Sequence, residues 1–216
     1  MTTVKLLREI RTEVGEFGNQ GFSLVEVLIT IFIILVVAAV GIPNLMTMVG
    51  EMKTAGDARD LNGAIVLAKM RAASNFSRAR VYADLSANTF RVEWQQSGTI
   101  TWTTDGCPNS CVGDQPLATR VSFGYGSVSS PPSNTQATLG QAPLCLDSLG
   151  SGNPVTNTAC IIFNSRGIPI TSGAVPTPND ALYVTNGKSI TGVTVSVTGL
   201  TKIWRSDVST ANWTQY

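Results

Sequence analysis

The chain has 216 residues, 15 lysines and arginines against 14 aspartates and glutamates, a formal net charge of +1, and no histidine. Near-neutrality excludes a broad electrostatic footprint for a polyanion, and the missing histidine removes the usual general base and the commonest metal ligand. Only 13% of residues are charged, a composition that suits one β-rich extracellular domain plus an anchor rather than a charged cytosolic surface.

Residues 1–21 carry Lys5, Arg8 and Arg11 against Glu9, Glu13 and Glu16. Basic residues ahead of an apolar run place this end on the cytoplasmic side, acidic residues counting little. It is read as a leader and left out of fold reasoning. An apolar run follows from Phe22 to Ile42, ending at Pro43. As a helix it is about 31 Å long at about 1.5 Å per residue, enough to cross a bilayer. Within it stands a single carboxylate, Glu26. An ionisable group in such a segment costs a few kcal/mol on insertion scales and is a functional hypothesis by default. If cleavage falls after Gly21, the new α-amine of Phe22 lies one helical turn from Glu26, so the two charges neutralise each other or a neighbour's. Thr30 continues that face and is expected to bond its own backbone. The competing cut, by an ordinary signal peptidase after Val37-Ala38-Ala39, would free a soluble chain starting at Val40 and leave Gly21, Phe22 and Glu26 without a role.

Gly21-Phe22, the early Glu26 and an apolar helix interrupted by Pro43 resemble the processing site and N-terminal helix of type IV pilins and type II secretion pseudopilins. The resemblance implies prepilin peptidase cleavage after Gly21 and methylation of the new N-terminus at Phe22. It implies that Glu26, the fifth mature residue, serves filament assembly and that Pro43 kinks the helix. The implied partners are other pilins or pseudopilins, the peptidase, an inner-membrane assembly platform and membrane lipid. The implied location is a single-pass inner-membrane protein with its head in the periplasm, later in a pilus or pseudopilus at the cell surface.

Past Pro43 the helical pattern resumes over 44–76. Leu61, Ile65, Ala68 and Ala72 fall at i, i+4, i+7 and i+11, one apolar stripe of a helix reaching Ser74, with Asn75 as its end. From residue 77 the period becomes alternating. Strands are expected at 80–85, 89–94, 99–102, 119–125, 159–164, 181–185, 193–198 and 202–205, and a long surface loop at 126–154. The four cysteines, Cys107, Cys111, Cys145 and Cys160, all lie beyond the apolar run. They read as disulfides of an oxidising compartment; three pairings are open, proximity favouring Cys107–Cys111 and Cys145–Cys160. A four-cysteine zinc site is the rival, but the tight C-x-x-C knuckles are missing.

The stretch 67–74 with Val81 and Leu85, and later Ile161-Ile162-Phe163-Asn164-Ser165-Arg166-Gly167, resembles GspH/FimT-type minor pilins and pseudopilins. That resemblance implies an α+β fold in which a long N-terminal helix packs on a β-rich head, with Phe163 filling a core and Gly167 permitting a turn. The domain reading is a leader at 1–21, a membrane and polymerisation helix at 22–43, an amphipathic helix at 44–76 and the head at 77–216.

No catalytic grouping and no cofactor motif stands out. Asp105, Asn109 and Asp114 share a loop with Cys107, but their spacing matches no calcium-binding loop, and no metal is expected. Some relatives of this kind bind DNA through a basic C-terminal segment. Lys202, Trp204 and Arg205 occupy the comparable place, though two charges followed by Asp207 give little phosphate affinity. The sequence therefore reads as a non-enzymatic minor pilin helping filament assembly start at or near the tip. A pseudopilin of type II secretion and a DNA-binding minor pilin are the alternatives.

Overall fold

The computed structural model describes residues 21–96, 98–105, 113–147, 152–177 and 179–216. The leader 1–20, Cys107, Asn109 and Cys111 lie outside the described residues. One helix, α1 (Leu24–Ser74), leads into eleven strands: β1 (Ala79–Asp84), β2 (Thr89–Gln95), β3 (Trp102–Thr104), β4 (Gln115–Pro116), β5 (Ser122–Phe123), β6 (Thr158–Phe163), β7 (Pro169–Ile170), β8 (Asn179–Thr185), β9 (Ser189–Ser196), β10 (Thr201–Asp207) and β11 (Thr210–Gln215). The architecture is α+β and pilin-like, one long N-terminal helix with antiparallel sheets packed on it in the head.

The chain divides into two compact units, Met1–Leu45 and Met46–Tyr216. In the first, the apolar residues of α1 are exposed, Leu28 at 62%, Ile34 at 64% and Val40 at 66%. Such a surface is stable only against lipid or other apolar helices, and the helix is long and apolar enough to cross a membrane.

In the second unit, α1 buries Thr54, Asp57, Ala58, Leu61, Ala64, Ile65, Ala68 and Ala72. These positions recur every three or four residues, so they form one face. The four alanines let the sheets come close, while Leu61 and Ile65 fill the space between them. One core joins this face to Val81, Phe90, Val92, Ile161 and Phe163, and to Leu182, Val184, Val193 and Val195.

Two sheets supply those residues. The first runs β3-β2-β1-β6-β7, with β4 also on β2; the second runs β11-β10-β9-β8-β5. Every pairing is antiparallel. Alternation sends Ala79, Val81 and Ala83 of β1 to the main core, and Arg80 and Tyr82 to the other face. That other face is also covered, by a satellite cluster of Cys145, Cys160, Ile162 and Ile170 with Tyr82 and Trp102. The second sheet has its own satellite in Val128, Ala181, Tyr183 and Ile190.

The segment 126–154 is therefore more than a surface loop. It supplies buried Val128, Ala142 and Cys145. Gln141 accepts a hydrogen bond from the Tyr183 amide and donates one to the Tyr183 carbonyl, both 2.8 Å, as a neighbouring strand would. The Ala142 amide adds a bond to the Ala181 carbonyl at 2.8 Å. Its polar, turn-prone composition conceals this because side-chain amides replace the missing strand pairing. Cys145 is bonded to Cys160, across a separation of 15 residues, and ties the segment to β6.

Other boundaries also move. The expected strand at 99–102 lies at Trp102–Thr104, and that at 119–125 shrinks to Ser122–Phe123. β9 starts at Ser189, earlier than expected, because its polar Ser189, Thr191 and Thr194 are buried by pairing between β8 and β10. β11, an exposed edge of threonine, asparagine and glutamine around Trp213, has no apolar alternation to announce it. Phe163 is fully buried, and Gly167 has φ +72° in the turn between β6 and β7. Gly199, at φ +74°, lies so close to the Gly167 carbonyl that a Cβ there would collide with it. Lys69 closes the junction by donating to the Gly199 carbonyl at 3.0 Å.

Candidate functional site

The sequence points first to the start of α1. The Val27 amide bonds the Ser23 carbonyl at 3.2 Å, so the first helical turn closes just beyond Gly21 and Phe22. Gly21, Phe22 and Ser23 precede the helix in non-helical backbone, and Phe22 is 79% exposed. Glu26 occupies the first turn, where the amide ends of the helix favour negative charge. It is exposed, and among the described residues no ion pair involves it. The Thr30 hydroxyl donates back to the Glu26 carbonyl at 2.9 Å and the Val27 carbonyl at 2.8 Å, as expected of a helical threonine. Its proton is thus spent locally, leaving Glu26 as the polar side chain this face offers a partner. α1 continues through Pro43 without a break in its assignment.

A family model described as the prokaryotic N-terminal methylation motif matches residues 17–42. With the long apolar helix, this fits a type IV pilin-like protein. No curated protein and no solved structure matches the chain. The motif supports a pilin or pseudopilin family for this pilin-like chain. It implies cleavage by prepilin peptidase, assembly with other pilins and anchoring in a membrane.

The remaining candidates lie in the head and are occupied by internal partners. Arg205 forms an ion pair with Glu51 of α1 and donates to the Tyr216 hydroxyl at 3.0 Å. Trp204 donates its indole N–H to Thr194 Oγ1 at 2.9 Å, and Lys202 stands exposed with its ammonium 5.8 Å from the Trp204 ring. Lys202 and Trp204 share one face of β10, whereas alternation sends Arg205 to the other face, where Glu51 neutralises it, so the strand does not bring the three together. Asp105 pairs with Arg71 at 2.9 Å and Asp114 with Arg91 at 2.8 Å, so both carboxylates once considered for calcium are taken by arginines. Among the described residues no cluster of three metal-ligating side chains occurs.

A buried charge cluster on the outer face of the first sheet is absent from the sequence reading. Arg80 is fully buried, its Nε 2.6 Å from Glu93 Oε2, and Arg91 Nε lies 2.7 Å from Glu93 Oε1. Both guanidinium groups stack on aromatic rings, Arg80 4.1 Å from Trp102 and Arg91 4.0 Å from Tyr82. Burial pushes the Arg80 pKa down and Glu93 opposes the shift, so the pair remains ionic. Arg80-Val81-Tyr82 and Arg91-Val92-Glu93 alternate as half-buried strands do, and their charged faces read as solvated. The signal available in sequence was Cys160, which stands opposite Tyr82 on the same sheet and draws a disulfide-bonded segment over it.

Asp180 is also buried, with Thr177 donating to its Oδ2 at 3.0 Å. Burial raises its pKa against the lowering effect of that bond. A carboxyl whose folded pKa exceeds its unfolded value holds its proton more tightly when folded. Its contribution to stability is therefore lost as pH rises from the ordinary carboxylate range through the raised value. Asp180→Asn should melt higher than the parent at pH 7, the advantage fading below about pH 4. Thermal melts across that range check it; an advantage independent of pH would assign the gain to another cause.

Proposed function

We propose that the chain is a minor pilin of a type IV pilus, cut after Gly21, methylated at Phe22 and incorporated at or near the filament tip to help assembly start. The reading gives it a structural rather than catalytic role. The observation that carries it is the unit around Glu26, a membrane-length helix with its large apolar side chains uncovered and one carboxylate in its first turn. A cut at Gly21 supplies the missing cation, and a bundle of identical helices supplies the missing apolar cover. In this reading Pro43, which has no amide to donate, bends the helix where it leaves the bilayer. The head first stands in the periplasm and later on the cell surface, an oxidising setting consistent with the Cys145–Cys160 bond.

Peptide quantification of sheared filaments tests the proposal. The chain should be present far below the main subunit, and its deletion should reduce filament number. Abundance matching the main subunit would contradict a minor role. Lost secretion with normal pili would transfer the chain to a type II secretion pseudopilus. DNA binding through Lys202, Trp204 and Arg205 is the weaker proposal, because Glu51 already neutralises Arg205.

A further inference from the structure

α1 ends on a residue that its own fold does not reward. The Ser77 amide bonds the Ala72 carbonyl at 3.1 Å and closes the last turn, which leaves Phe76 at φ +47°. Left-handed backbone at a helix end ordinarily falls to glycine, because a side chain crowds it. Phe76 recovers nothing by packing, since it is 84% exposed. A large apolar side chain held in strained backbone and left in water points to a use outside the chain.

The surface beside it has matching character. Val66, Met70 and Ala73 recur at four and three residues, an exposed stripe of α1 that leads towards Phe76 and is distinct from the buried one. Leu200, 65% exposed, stands in the turn between β9 and β10. These side chains line a groove of about 440 Å³ that Lys69 and Arg166 border. Its wall is tightly built, because Gly199 packs on the Gly167 carbonyl and Lys69 donates to the Gly199 carbonyl.

Charge and position narrow the occupant. The groove is lined by two cations and no carboxylate, and among the described residues neither Lys69 nor Arg166 enters an ion pair. A second copy meeting this groove with its own would set like charges together. A phosphate backbone would match the cations but leave Met70, Phe76 and Leu200 uncovered. The groove also lies well past the membrane-length run, Met70 being about 36 Å along α1 from Met46 at about 1.5 Å per residue. A protein segment with carboxylates and apolar side chains satisfies both features of the surface.

We propose that this groove docks an acidic, apolar segment of a different subunit in the same filament. The inference rests on the assembly reading above and gives that assembly a contact in the head, separate from the one at Glu26.

Photocrosslinking in cells tests it, with p-benzoylphenylalanine replacing Met70 in the full chain and, as a control, replacing exposed Ser209 at the far end of β10. Mass spectrometry of the Met70 product should find a different filament subunit, joined within a segment that bears aspartate or glutamate. The Ser209 position should not yield it. Arg166→Glu should lower the Met70 yield about tenfold or more, and reversing the charge of the joined carboxylate should restore it. Phe76→Gly should lower the yield without lowering the melting temperature, because glycine accepts the left-handed backbone. Cross-links only to lipid, to DNA or to a second copy would overturn the inference alone. So would a yield unchanged by Arg166→Glu, or no cross-link from chains present in filaments. Chains absent from filaments altogether would overturn the assembly reading and this inference with it.

Discussion

Glu26→Val is expected to leave membrane insertion intact and to abolish ordered incorporation into filaments. Removing a carboxylate from the apolar helix favours insertion, by at most about 2.5–3.5 kcal/mol for a position near the helix centre and less for one in the first turn. Assembly should respond in the opposite direction. The described residues offer Glu26 no ion-pair partner, and the Thr30 hydroxyl is bonded to the backbone. The carboxylate is therefore available to an α-amine at Phe22, on its own helix or a neighbour's. In the proposed assembly that pair would set axial register across subunits, because sliding by one turn would leave both charges unpaired in an apolar bundle. Valine keeps the apolar surface and removes the register. Membrane fractionation combined with immunodetection in sheared filaments reads both effects, and normal incorporation would show the carboxylate to be dispensable.

Glu93→Ala should destabilise the head by about 3–5 kcal/mol, because it leaves Arg80 buried without its carboxylate. Arg91 would retain Asp114 at 2.8 Å, so the loss falls mainly on Arg80. The double variant Arg80→Met/Glu93→Leu should recover most of that loss, since an apolar pair of similar volume avoids the desolvation that the ions suffer. Denaturant unfolding of Glu93→Ala, of the double variant and of its two constituent singles, Arg80→Met and Glu93→Leu, checks the argument. A double variant as unstable as the sum of the singles would mean that the ions themselves, and not the stranded charge, carry the effect.

Much of this architecture is readable along the chain. The membrane-length run, Glu26 and the stripe Leu61, Ile65, Ala68 and Ala72 obey simple periodicities, and all four stripe residues are fully buried. The end of α1 at Ser74 and the Cys145–Cys160 bond follow from equally local signals. The second, outer cores do not. Alternation on a one-sided sheet would leave Arg80 solvated, but loops carrying Cys145 and Leu146 cover that side. Gln141 likewise looks like a loop residue until its amide is seen bonded to the backbone of β8. Contacts of this kind join residues far apart in sequence, and composition within either segment carries no trace of them.

The central claim concerns the Gly21–Phe22 junction, and mass spectrometry of the mature N-terminus tests it most directly, with and without a prepilin peptidase. The account predicts a chain beginning at N-methylated Phe22 when the enzyme is present, and an uncut leader when it is absent. A chain beginning at Val40, or one uncut after Gly21 in both cases, would contradict it.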